Sequence, residues 1–114
     1  MVVLYGIKNC DTVKKARDWL DKHGIAYQFH DYRVDGLTLE QLQHFAADLG
    51  WEKMLNRSST SWRQLGGEQQ VDLTEAKAIQ LMLDMPTLIK RPILDTGSAL
   101  MIGFKPDIYQ TQLT

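Results

Sequence analysis

One stretch of the chain carries its most chemically telling residue: "YGIKNCDTVKKARDWL", residues 5–20, holds the only cysteine, Cys10. It follows a short apolar run and precedes a stretch with helical period. A thiol placed there faces the unpaired N–H groups and the positive dipole end of a helix, and both favour thiolate. Lys8 and Lys14 would add positive charge, whereas Asp11 would oppose it unless its carboxylate caps the helix. Two readings stay open at this point: a nucleophile placed for chemistry, or a small buried hydrophobe, since free cysteine is among the most buried residue types. A chain with one cysteine has no C-x-x-C, so any resolving thiol must come from another molecule.

Four cations are the next candidates: Arg57 in "LNRSST", Lys90 and Arg91 in "IKRP", and Lys105 in "GFKP". A thiolate that attacks an oxyanion or a glutathione adduct needs cations to grip carboxylate or phosphate-like oxygens, and arginine does so bidentately. Taken singly, each is equally a solvated surface charge. Lys105 and Arg91 bracket a hairpin signal and so could lie near one another. Pro92 stands where a strand should begin, a common structural place for proline. His23, His30 and His44 have no metal-ligand spacing with one another or with Cys10, so no metal site is expected. There is no glycine-rich phosphate loop and no Ser/His/Asp order.

The elements that must position these residues can be read from pattern. "VVLYG" (2–6) reads as a buried strand. From Thr12 to His23, Val13, Ala16, Trp19, Leu20 and His23 share one stripe and the charged residues fall outside it, with Gly24 as the stop. "AYQFHDY" alternates like a second strand, with Tyr27, Phe29 and Asp31 on one side. Strand, helix, strand in about thirty residues is a βαβ unit with parallel strands, and it places Cys10 in the first strand–helix loop. Chemistry in open α/β sheets gathers at such carboxyl ends.

The middle of the chain reads as helical. Thr38 with Gln41 forms a capping box ahead of the stripe Leu39, Leu42, Phe45, Ala46 and Leu49. "WEKMLNRSST" reads as a short helical turn running into a loop, and "GGEQQ" as a turn. Asp72 with Glu75 reads as a second capping box, opening a helix to Met85 with Ala76, Ile79, Met82 and Leu83 on its apolar face. Pro86 ends or restarts that helix. "ILD" and "ALMIG" flank "TGS", a hairpin signal, and "KPDIYQTQL" fits a last helix with Pro106 in its first turn. The expected architecture is α/β: a thioredoxin-like fold, a mixed four-stranded sheet with a helical insertion, as a single domain over residues 1–114.

Composition narrows the partners. With 114 residues, a formal net charge of -1 and 24% charged residues, no global field draws the chain to nucleic acid or anionic lipid. No apolar stretch approaches the length of a membrane helix, and "MVVLYG" is too short for a signal h-region. The expectation is a cytoplasmic monomer.

The sequence resembles the arsenate reductase (ArsC)/Spx family, and most closely its small YffB-like branch. The likeness runs block by block along essentially the whole chain, in "LYGIKNCDTVKKARDWL", "LNRSSTSWRQL", "TEAKAIQLML", "LIKRPIL" and "GFKPDIY". It implies a thioredoxin-like fold with a helical insertion, Cys10 as the single catalytic cysteine, and Pro92 as the cis-proline facing it. Three arginines surround the cysteine in arsenate reductases of this type. Two of them carry over to Arg57 and Arg91, while Lys105 occupies the third position, and lysine cannot make the bidentate contact. Glutathione, as co-substrate and not as a bound cofactor, or glutaredoxin is the partner implied for the YffB-like branch. Lys8, Asn9, Arg57, Arg91, Pro92 and Lys105 are then the expected substrate- or glutathione-binding residues. The alternative implied by the Spx members is a non-enzymatic regulator that binds RNA polymerase. Redox-switched members carry C-x-x-C, and Val13 stands where the second cysteine would be.

Overall fold

The apolar run closed by glycine folds as β1 (Val2–Gly6), in a computed structural model that describes Met1–Thr114. It leads into α1 (Asp11–Lys22), whose buried face is Val13, Ala16 and Leu20. His23, expected on that stripe, is exposed; its ring stacks on Trp19 at a centroid distance of 3.9 Å. β2 (Tyr27–Asp31) runs parallel to β1, pairing Leu4 with Phe29 and Gly6 with Asp31. β3 (Ile93–Asp95) and β4 (Leu100–Ile102) form an antiparallel hairpin, and β3 is antiparallel to β1. The sheet order β2-β1-β3-β4 is mixed and thioredoxin-like. α7 (Pro106–Leu113) closes the chain with Pro106 in its first turn.

Met1–Gly36 and Arg91–Thr114 make one compact unit, and Leu37–Lys90 a second. In the first unit Leu4 and Leu94, paired across β1 and β3, pack with Val13, Ala16, Leu20 and Tyr109 into one core. Burial of such aliphatic and aromatic side chains is the dominant favourable contribution to folding.

At Gly6 the end of β1 lies close against α1. A Cβ there would lie 2.8 Å from a methyl of Val13, a stiff β-branched side chain that is fully buried. Gly6→Ala should therefore overpack this corner and lower stability by about 1–3 kcal/mol. Denaturant unfolding should show an earlier midpoint with unchanged slope; an unchanged midpoint would mean that the corner has slack.

The second unit is helical: α2 (Leu39–Leu49), α3 (Trp51–Met54), α4 (Thr60–Arg63), α5 (Gly67–Gln70) and α6 (Glu75–Asp84), followed by a 3-10 turn over Pro86–Leu88. α2 packs on α6. The Thr38–Gln41 capping box forms in both directions, with bonds of 2.9 and 3.1 Å. Leu39, expected on the buried stripe, is exposed, and the stripe narrows to Leu42, Phe45 and Ala46. Three further expectations are corrected. "GGEQQ" contains the single-turn helix α5 where a turn was expected. α6 is capped by the Thr74 hydroxyl, which accepts from the Lys77 N–H at 3.3 Å, and Asp72 instead takes a left-handed φ of 53° in the preceding turn. The buried face of α6 is Ala78, Ile79 and Met82, whereas Ala76, expected on it, is exposed. No helix is long and apolar enough to cross a membrane.

Candidate active site

β1 ends at Gly6, and four residues later Cys10 is the N-cap of α1, with extended backbone (φ −131°, ψ 124°). Its carbonyl accepts the Lys14 N–H at 2.9 Å, which opens the helix. The thiol is half-buried and makes no capping hydrogen bond of its own. Several groups act on the sulfur once it is charged. Burial is the largest single influence and pushes the thiol pKa up. Against it stand the Val13 N–H, the hydrogen bond and positive charge of the Arg91 guanidinium, and the Thr12 N–H. Together they outweigh burial, and the Cys10 pKa lies below its ordinary value. This is the combination of helix N-terminus and arginine that favours the thiolate.

Of the residues expected around Cys10, the structure brings Arg91 to the sulfur. Arg91 precedes Pro92 across a cis peptide bond, and Pro92 is buried, its carbonyl accepting the Gly103 N–H at 2.7 Å. Lys8 and Asn9 form the turn between β1 and Cys10, with exposed side chains. Lys105 is the exposed N-cap of α7 in the same unit. Arg57 belongs to the helical unit, where it is exposed with its guanidinium 5.5 Å from the centre of the Trp62 ring.

Two residues beside the site lay outside the expected set. Asp31 is 7% exposed, and its carboxylate accepts the Lys8 N–H at 3.2 Å and the Arg33 N–H at 2.8 Å. Tyr32, on the other face of the sheet, stacks with Tyr5 at 6.3 Å and meets His30 edge-on at 6.2 Å. Burial and the neighbouring Tyr5 hold its phenol well above its ordinary pKa, while Arg91 pulls the other way. The sequence held one signal for Asp31: a carboxylate at a strand's carboxyl end, on the side of Tyr27 and Phe29.

Comparison with known proteins extends this geometry. Residues 5–112 match the ArsC family. The solved structure of a YffB protein is 53% identical, covers 100% of both chains and superposes with a TM-score of 0.96. An arsenate reductase (ArsC) related protein from Brucella melitensis is 47% identical over 99% of this chain and 94% of its own, with a TM-score of 0.79. Among curated proteins, one from Haemophilus influenzae with no assigned function is 46% identical across 96% of each chain. The global transcriptional regulator Spx of Lactiplantibacillus plantarum is 28% identical, covering 94% of this chain and 82% of its own.

Proposed function

This chain belongs to the ArsC family, and on that premise we propose that it is a thiol-dependent reductase in which Cys10 is the nucleophile. The observation that carries the reading is the Cys10 sulfur itself, half-buried at the N-terminus of α1 with the Arg91 guanidinium upon it and its pKa lowered. The substrate is a glutathione mixed disulfide, and glutathione or glutaredoxin is the reductant. The Cys10 thiolate attacks the glutathione sulfur, the substrate thiolate leaves and takes a proton, and a Cys10–glutathione disulfide remains. A second glutathione thiolate then attacks that disulfide, releasing oxidised glutathione and restoring Cys10. The net change converts one mixed disulfide and one glutathione thiol into the free substrate thiol and one oxidised glutathione. Arg91 orients a carboxylate of the incoming glutathione, and the family resemblance adds Lys8, Asn9, Pro92 and Lys105 to the binding residues.

Arsenate is the poorer substrate on this reading, because Lys105 offers a point charge where a guanidinium would grip two oxygens. A reductase assay over glutathione mixed disulfides and arsenate, with glutathione and glutaredoxin supplied, tests this. Mixed disulfides should turn over and arsenate should not, and Lys105→Arg should raise arsenate turnover. Arsenate reduction by the wild type at an ordinary enzymatic rate, of order 1–1000 per second, would replace the thiol substrate with the oxyanion. The place of Arg57 in this scheme comes from the family resemblance. Arg57→Ala should weaken anion binding, and unchanged binding would remove it from the scheme.

The Spx relatives favour a second reading, a regulator that acts on RNA polymerase. Val13, fully buried in the core, leaves such a regulator without a second cysteine for a redox switch. Retention of RNA polymerase by the immobilised protein, together with no reductase activity, would favour the regulator.

A further inference from the structure

We propose that Asp31 is a positioning residue of this site: by holding the Lys8 amide, its buried carboxylate fixes the loop that presents Cys10 to the N-terminus of α1. The inference rests on Cys10 being the reactive group and adds the residue that keeps it in place. Asp31 stands out in the burial pattern because a carboxylate persists inside a protein only where donors meet its charge. Here both donors are backbone N–H groups. The bond from Arg33 is local and shapes the exit from β2. The bond from Lys8 spans 23 residues and ties the exit of β1 to the exit of β2.

The surrounding bonds hold the carboxylate still. Asp31 pairs with Gly6 in the sheet, the Tyr32 N–H donates to the Gly6 carbonyl at 2.9 Å, and the Asp35 carboxylate accepts the Asp31 N–H at 2.9 Å. Two residues beyond Lys8 comes Cys10, and the intervening Asn9 is exposed and has no core packing to fix it. The Lys8 bond therefore anchors the exposed part of the loop. If it is released, the sulfur spends part of its time away from the Thr12 and Val13 N–H groups and from Arg91, and the thiolate loses their support.

Asp31→Asn is the test, because an amide has one acceptor oxygen where the carboxylate has two. One of the two backbone N–H groups must then face an NH₂ group. The pH dependence of Cys10 alkylation should shift to higher pH, and the rate at pH 7 should fall by about two- to fivefold. Thr38→Ala is the control: losing the α2 cap costs about 1 kcal/mol of stability and should leave the alkylation profile in place. A profile that superimposes on wild type both in Asp31→Asn and in Asp31→Ala, which removes both acceptor oxygens, overturns the proposal, whatever happens to stability. Should these variants fail to fold, hydrogen exchange of wild-type Lys8 decides: a retarded amide is expected, and one exchanging like an unprotected amide overturns it. A wild-type thiol with an ordinary profile would defeat the reductase reading instead, leaving Lys8 exchange as the measure of Asp31.

Discussion

Arg91→Met moves the pH midpoint of Cys10 alkylation upward and lowers the thiolate fraction at pH 7. The guanidinium contributes both a hydrogen bond and a nearby positive charge to the sulfur, and methionine keeps much of the side-chain length while removing both. The thiolate fraction should fall by about three- to tenfold, the worth of one charge-assisted hydrogen bond discounted for a partly exposed group. The alkylation rate should fall less, because a more basic thiolate is intrinsically the faster nucleophile. Arg91→Lys should recover part of the midpoint shift, since the charge returns without the planar fork. With a mixed-disulfide substrate, Arg91→Met should also raise KM as the carboxylate loses its partner. An unchanged midpoint in Arg91→Met would mean that the helix terminus alone supports the thiolate.

Cys10→Ser should remove reductase activity altogether, by on the order of a thousandfold or more, because a serine hydroxyl is not ionised at neutral pH and forms no disulfide. The same exchange has a consequence for stability. A thiol whose pKa is lower folded than unfolded stabilises the fold fully above the unfolded value, and that stability is lost as pH falls through the folded value. Wild type should therefore gain stability relative to Cys10→Ser as pH rises through the window between these two values, then hold a constant difference. Paired thermal unfolding curves across that range measure it. A gap that narrows with rising pH would mean that Cys10 has a raised pKa in the folded protein.

The β1–α1–β2 unit was legible in the sequence because its signals are local: an apolar run closed by Gly6, a stripe ending at Gly24, and strict alternation in Tyr27–Asp31. The hairpin followed from "TGS", whereas the cis bond before Pro92 was expected only from the family resemblance, since "KRP" by itself marks no more than the start of a strand. The errors arose where local signals compete or are too short. Asp72 and Thr74 are both good caps, and the left-handed turn at Asp72 gives the role to Thr74. α5, a single turn containing Gly67, has too little sequence to show a period. Within the site, Cys10 could be found because helix termini are predictable. The choice of Arg91 over Lys8 and Lys14 as the cation on the sulfur depends on β3 lying beside β1. The Asp31–Lys8 bond likewise depends on strand register. Such cross-strand neighbours are set by tertiary pairing, which no local pattern records.

The pH dependence of alkylation of wild-type Cys10 by a small neutral reagent tests the central claim most directly. It reads ionisation of the sulfur without assuming a substrate, a reductant or a partner. The midpoint should lie below that of a free cysteine, about 8.5, with the thiol open to the reagent throughout. A midpoint at or above the free value, or a thiol that the reagent cannot reach in the folded protein, would make Cys10 an inert core residue and contradict the account.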